Sequence, residues 1–257
     1  MSNQARDKKI EALGSTFLEI GSLLMVSGAS TGRIRTTITR ISESFGYNTD
    51  MLISQRTLML NIYNDEDNFL FNSLKRTATP AVNFAIVSGI SKMSWLVAEQ
   101  NWTVEQINTE LKRLTELPHY ARIWVLVLVA LAGASFCRIA GGTPFDMFMV
   151  FLGSFFGIYV RQETSKMSFN PYICIYLAAL TASLIAGMPA KLSEGNLHEH
   201  AFATSVLFLI PGVPLINSFS DLIDGNIQNG LIRGINGFII SFTIALGLLT
   251  TMFLYQF

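Results

Sequence analysis

The sequence predicts an α-helical integral membrane protein with about five transmembrane helices, preceded by a small cytoplasmic α+β domain. Three observations lead there. Of the 36 Lys, Arg, Asp and Glu residues, 24 precede Pro118, and the rest of the chain reads as long uncharged runs joined by short polar connectors. Those runs approach the roughly 20 helical residues needed to cross a hydrocarbon core about 30 Å thick. Before Pro118, apolar residues recur instead at helical spacing and, in one stretch, at a period of two. The expected division is 1–118 for the cytoplasmic α+β domain and 119–257 for the transmembrane domain.

In the first part, Ile10, Leu13, Phe17, Ile20 and Leu24 stand three and four apart and define one face of a helix. Ile34, Ile38, Ile41 and Phe45 do the same for a second. Between them Gly28-Ala29-Ser30-Thr31-Gly32 supplies glycines for a tight turn and a hydroxyl for the next N-cap, so an αα-hairpin is expected. Leu58, Leu60 and Ile62 then alternate with Met59, Asn61 and Tyr63, which predicts a strand pair over 51–54 and 57–63. Helices follow over 81–99, after Pro80, and again after Thr103, whose hydroxyl forms a capping box with Gln106 ahead of Ile107, Leu111 and Leu114.

Five spans are expected, at about 121–140, 144–160, 170–188, 202–219 and 234–255. Twelve of the eighteen basic residues precede Arg122, so the positive-inside rule places the N-terminal domain in the cytoplasm. Arg161, Lys166 and Arg233 then face inward as well, Arg138 and Lys191 outward, and the C-terminus lies on the far side.

Several function classes fall away. Equal numbers of acidic and basic residues leave no basic footprint for nucleic acid. Cys137 and Cys174 both lie in hydrophobic runs and define neither a disulfide framework nor a zinc spacing. The polar start of the chain does not read as a cleaved signal peptide. No catalytic set is evident: His119 sits at the domain boundary, and Ser27 and Ser30 have no base near them in sequence, so no enzyme and no cofactor is expected. The 28–32 turn lacks the Gly-Lys-Ser/Thr ending of a nucleotide cradle. The connector 194–200 holds two histidines and two glutamates without regular ligand spacing, and no metal site is expected there.

The candidate chemistry sits at interruptions. Pro211-Gly212-Val213-Pro214 in the fourth span frees backbone groups that a bilayer cannot hydrate, as a packing kink or as a broken transporter helix would. Asn217, Asp221 and Asp224 follow it, and Asp146 stands at the mouth of the second span after Gly141-Gly142-Thr143-Pro144-Phe145. Ionisable groups at membrane depth cost roughly 2.5–3.5 kcal/mol and are functional candidates, whereas at headgroup level they are ordinary solvated ends. Gly153 with Gly157, and Gly230 with Gly234, have the four-residue spacing that lets helices approach closely.

Three blocks, 24–33 (LMVSGASTGR), 140–146 (AGGTPFD) and above all 209–234 (LIPGVPLINSFSDLIDGNIQNGLIRG), resemble the threonine/serine exporter family in its split, YjjP-like form. The similarity runs over nearly the whole chain. It implies a subunit of a bacterial inner-membrane secondary exporter of threonine and serine, or of succinate and related dicarboxylates, driven by the proton motive force. It also implies a second, shorter membrane subunit as partner, since this chain ends after one membrane half, and it leaves room for homo-oligomers.

The positions matching the family's motifs are Gly28, Ala29, Gly141, Gly142, Asp146, Pro211, Gly212, Pro214, Asn217, Asp221, Gly225, Gly230 and Arg233. Within that resemblance Asp146, Pro211, Gly212, Pro214, Asn217, Asp221 and Arg233 are the expected substrate or ion pathway, and Gly28, Gly141, Gly142, Gly225 and Gly230 the structural glycines. In this scheme Asn217 offers an amide to substrate, and Asp221 or Asp146 exchanges protons. The basic residues of the membrane half stand chiefly at span ends, which favours a zwitterionic cargo, threonine or serine, over a dicarboxylate. The readings from other classes are a membrane-anchored enzyme and a regulatory scaffold.

Overall fold

A computed structural model describes residues 3–64, 69–78, 81–118, 120–192 and 199–256. Along the chain lie α1 (Asn3–Val26), α2 (Thr31–Ser44), β1 (Asn48–Ser54), β2 (Thr57–Tyr63), β3 (Phe69–Arg76), α3 (Phe84–Gln100) and α4 (Val104–Thr115). There follow α5 (Arg122–Ile139), α6 (Pro144–Lys166), α7 (Pro171–Leu192), the short α8 (Glu199–Thr204), a 3-10 turn (Leu207–Leu209), α9 (Gly212–Ile223) and α10 (Ile227–Tyr255). These elements form two units, Met1–Pro118 with Val213–Gly234, and His119–Gly212 with Ile235–Phe257.

The first unit is built on the apolar faces visible in the sequence. Leu13, Phe17, Ile20 and Leu24 of α1 share one core with Ile34, Ile38 and Ile41 of α2, Leu58, Leu60 and Ile62 of β2, Ile90 and Met93 of α3, and Ile107 of α4. Burying each such side chain contributes about 1.5–3 kcal/mol. Two glycines bring α1 down onto the sheet: a Cβ at Gly14 would lie 2.5 Å from the Phe71 ring, and one at Gly21 would lie 2.3 Å from Leu58 Cδ2. The sheet is antiparallel in the order β1-β2-β3, with Leu52 opposite Met59 and Met59 opposite Leu74. Asn83 caps α3 by accepting the N–H of Ala85 and of Ile86. The expected box at α4 is present, Thr103 and Gln106 each accepting the other's backbone N–H.

In the second unit α6 packs against both α5 and α7. Small residues set the closeness: a Cβ at Gly153 would stand 2.7 Å from the Ala182 carbonyl oxygen, and one at Gly157 would stand 2.8 Å from Phe208. The later part of α10 lies along α7, where Gly247 faces Ala179, Ser183 and Thr251 hydroxyls pair at 2.6 Å, and the Tyr255 hydroxyl donates to the Leu184 carbonyl at 2.7 Å. Among the described residues four helices are long and apolar enough to cross a membrane: Arg122–Ile139, Pro144–Lys166, Pro171–Pro189 and Ile227–Tyr255. A fifth is counted if His200–Leu209 and Gly212–Ile223 are one broken span. Phe238 and Phe253, 70% and 82% exposed, are what a lipid-facing surface presents and what a water-facing one avoids.

The structure corrects the expected elements in five places. A third strand, β3, joins the strand pair as an edge, and helix α3 starts at Phe84 instead of residue 81. The second span continues through Lys166, and α10 begins seven residues before the expected start at 234. The stretch 202–219 is not one helix, because Pro211 lacks the N–H that would continue the ladder and α9 restarts at Gly212. Pro214 then sits in the first turn of α9, where a missing donor costs nothing. Pro80 and His119 lie outside the described residues.

Candidate functional site

Helix α2 begins with backbone N–H groups that have no partner within the helix, and a carboxylate is their natural complement. Asp221, fully buried in α9, supplies it: Oδ1 accepts the Thr31 N–H at 2.9 Å and Oδ2 the Thr31 hydroxyl at 3.1 Å. Arg233 of α10 stands 3.3 Å from the same Oδ2 through Nη1 and donates from Nη2 to the Ala29 carbonyl at 3.1 Å. Asn217 donates to the Gly28 carbonyl at 2.8 Å. Asn229 donates to the Thr31 hydroxyl at 3.2 Å and to the Ile53 carbonyl at 2.8 Å. Four side chains of α9 and α10 thus hold the 28–31 turn at three of its residues, Gly28, Ala29 and Thr31, all within the first unit.

Local chain chemistry makes this grip possible. Gly28 has φ +88°, a left-handed conformation open to glycine, and a Cβ there would also crowd Val82 at 3.2 Å. Helix α9 ends in a Schellman motif: Asn226 N–H reaches the Asp221 carbonyl at 2.7 Å and Gly225 N–H the Leu222 carbonyl at 3.2 Å, with Gly225 at φ +79°. Gly230 lets the start of α10 pass Leu222, where a Cβ would come within 2.7 Å. The Ser218 hydroxyl closes the pair by donating to the Gly230 carbonyl at 2.7 Å.

The 140–146 block does different work. Gly141, at φ +100°, and Gly142 end α5 by donating to the carbonyls of Arg138 and Cys137. Asp146 then starts α6 in a capping box, Oδ2 accepting the Thr143 N–H and hydroxyl at 2.8 Å each while the Thr143 hydroxyl accepts the Asp146 N–H. With Pro144 in the first turn, the block is a helix stop followed by a helix start, and Asp146 is buried within it.

A cavity of about 540 Å³ opens in the second unit beside the start of α5 and the end of α6. Its polar side carries Arg122, Arg161, Gln162 and Lys166, and Val129, Ile158 and Phe208 form an apolar side. The Arg122 Nε–H donates to Gln162 Oε1 at 2.6 Å, its guanidinium pairs with Glu163 and lies 4.9 Å from the Tyr159 ring, and Lys166 reaches the same Glu163 oxygen at 3.2 Å.

Of the residues expected to form the pathway, the structure brings together Asn217, Asp221 and Arg233 around Gly28, and sets Gly225 and Gly230 in their support. Asp146, Gly141 and Gly142 belong to the other unit, and none of the expected pathway residues lines the cavity. Sequence reasoning missed Thr31 and Asn229 as partners, although both lie inside the quoted motif blocks. It also missed the cavity, whose basic residues read as ordinary span flanks. Among the described residues no group of three His, Cys, Asp or Glu could hold a metal. The connector 194–199 lies outside the described side chains. Both cysteines are buried and free.

Comparison with known proteins points the same way as these motif blocks. The family described as "Putative threonine/serine exporter" matches residues 15–255. A Klebsiella aerogenes protein named "Probable succinate transporter subunit YjjP" is 25% identical over 252 residues, 97% of this chain and 96% of that protein. Its namesake from Escherichia coli K12 is 26% identical over 218 residues, 84% of each chain. No solved structure matches. A match over nearly the whole chain, on a helical protein with four or five candidate spans, makes this chain a member of the threonine/serine exporter family of membrane proteins.

Proposed function

We propose that the chain is the larger subunit of a two-part secondary exporter that carries small carboxylate-bearing metabolites out across a bacterial inner membrane. The N-terminal unit then faces the cytoplasm, on the side where the positive-inside rule puts a chain with this distribution of Lys and Arg. The names of the two relatives, each a transporter subunit, support a partner subunit, and the resemblance read from the sequence makes it a shorter membrane protein.

The observation that carries this reading is the interruption at Pro211 and Gly212, which divides an apolar stretch into two short helices. Freed backbone at membrane depth is tolerated only where protein or a polar passage shelters it, and transporters use such breaks as hinges and as ligands. Beyond the hinge, Pro214, Asn217, Asp221 and Arg233 act as a lever whose grip on the 28–31 turn differs between the loaded and released states. The proton motive force supplies the drive, and Asp221 is the carboxylate whose protonation would free Thr31 and Arg233 together. Threonine or serine is the cargo the sequence favours, and succinate is the alternative supplied by the relatives' names.

A strain lacking the chain tests this directly. Fed threonine-containing peptides or made to overproduce succinate, it should retain one of the two inside, and re-expression should restore efflux. Unchanged export of both would overturn the reading.

A further inference from the structure

We propose that the cavity beside the start of α5 and the end of α6 is the cargo site, and that it selects a small dicarboxylate. The inference rests on the exporter reading and adds to it a place, a set of ligands and a charge.

Basic residues at span ends are ordinarily anchors whose head groups reach water. Here they are short of counter-charge. Arg122, Arg161 and Lys166 line one cavity, and among the described residues no acidic one lines it and Glu163 alone pairs with Arg122 and Lys166. Among the described residues the Arg161 guanidinium has no hydrogen bond and no ion pair. Three positive charges against one negative leave two uncompensated, which matches a dianion. Lys166 also offsets the negative end of α6, so Arg122 and Arg161 carry the argument.

Arg122 adds an observation that points to a ligand. Its Nη2 is buried without a hydrogen-bond acceptor, while Nε is fixed by Gln162 and Nη1 by Glu163. A guanidinium held at two nitrogens with the third unsatisfied is prepared for one more oxygen, and a carboxylate supplies it in the plane the fork requires. Val129, Ile158 and Phe208 give the methylene segment of a short diacid an apolar wall. A zwitterion would place its ammonium against the same surplus of positive charge and is disfavoured, which reverses the preference for threonine or serine drawn from the sequence, where these basic residues stand apart. The volume of 540 Å³ lies within the range of small-molecule sites, about 300–1,000 Å³. The positive-inside rule also turns this end of α5 and α6 to the cytoplasm, where an exporter takes on its load.

The test uses the full-length chain, purified with any subunit that accompanies it, and reads thermal melting with added succinate, threonine or inorganic phosphate. Succinate should raise the melting temperature, threonine should not, and Arg161→Gln should weaken succinate about tenfold or more while melting normally without ligand. Arg161→Lys should recover part of the effect, which a packing role would not require. In cells, Arg161→Gln should lose succinate export at normal protein level. Wild-type succinate export and binding in Arg161→Gln and Arg122→Gln would overturn the cavity assignment and leave the exporter reading intact, whereas unaltered efflux in the deletion strain would remove that reading itself. Stabilisation by phosphatidylglycerol nanodiscs with none by succinate would make the cavity a lipid headgroup site and also overturn the proposal.

Discussion

Asp221 accepts both the backbone N–H and the hydroxyl of Thr31, a residue 190 positions earlier in the chain. The pair joins the N-terminus of α2 to a segment that precedes the last span. Its stake is high because the carboxylate is fully buried and Arg233 stands against it. Breaking such a pair by neutralising one partner costs about 3–5 kcal/mol, since the other charge is left uncompensated. Asp221→Asn should therefore speed hydrogen exchange at Thr31 and through the first turn of α2. Unchanged protection there would show that the contact does not hold the turn.

Gly28 and Gly225 both have left-handed backbones, but their surroundings differ. A Cβ at Gly28 meets Val82 at 3.2 Å, whereas nothing lies within 4 Å of one at Gly225. Gly225→Ala should cost only the backbone strain, about 1–2 kcal/mol. Gly28→Ala adds the contact and should be the more destabilising of the two. Chemical or thermal melting of the two variants in the same detergent gives the order directly.

Asp146 separates a cap from a proton carrier. Asparagine keeps an oxygen that can accept from Thr143, so Asp146→Asn should export normally and melt within about 1 kcal/mol of the parent. Thr143→Ala removes the other half of the box and should cost about 0.5–2 kcal/mol. Abolished efflux in a stably folded Asp146→Asn variant would return the residue to the transport pathway.

The first unit's core was legible because its residues obey local periods: Leu13, Phe17, Ile20 and Leu24 are spaced for one helical face and all are buried. Strand β3 was not, since Phe69–Arg76 has no fully buried residue and lies at a sheet edge. The motif blocks marked Asp221, Asn217 and Arg233 but not what they bind, because Thr31 and the carbonyls of Gly28 and Ala29 are partners fixed only by tertiary structure. The 140–146 block, by contrast, is explained by local capping that its glycines, threonine and proline already spell out. The cavity stayed hidden because Arg122 and Arg161, 39 positions apart, look like separate span flanks until α5 and α6 pack.

The close contact of α6 with α7 should be as sensitive as any polar contact. At Gly153 the obstacle to a Cβ is the Ala182 carbonyl at 2.7 Å, a backbone atom that cannot swing aside as a side chain would. Gly153→Ala should therefore force the helices apart and cost about 1–3 kcal/mol by overpacking. The flanking Ser154→Ala, which removes only a 3.3 Å hydrogen bond to the Ser205 carbonyl, should cost less. A lower melting temperature for Gly153→Ala than for Ser154→Ala checks the order.

Arg233 faces two acceptors at once, the Asp221 carboxylate and the Ala29 carbonyl. A guanidinium can serve both because its nitrogens diverge in one rigid plane, whereas an ammonium is a single point charge on a flexible stem. Arg233→Lys should keep the charge that Asp221 needs and lose the link to Ala29, so its penalty should fall below that of Arg233→Gln, which leaves the carboxylate buried and unpaired. In a double-mutant cycle with Asp221→Asn, Arg233→Gln should show strong coupling, of the order of 1–3 kcal/mol, because the two charges meet directly. Pairing Arg233→Gln with Asn217→Ala should show weaker coupling, since Asn217 bonds to Gly28 and not to the ion pair. Equal coupling in the two cycles would mean that the turn is held as one block instead of through the carboxylate.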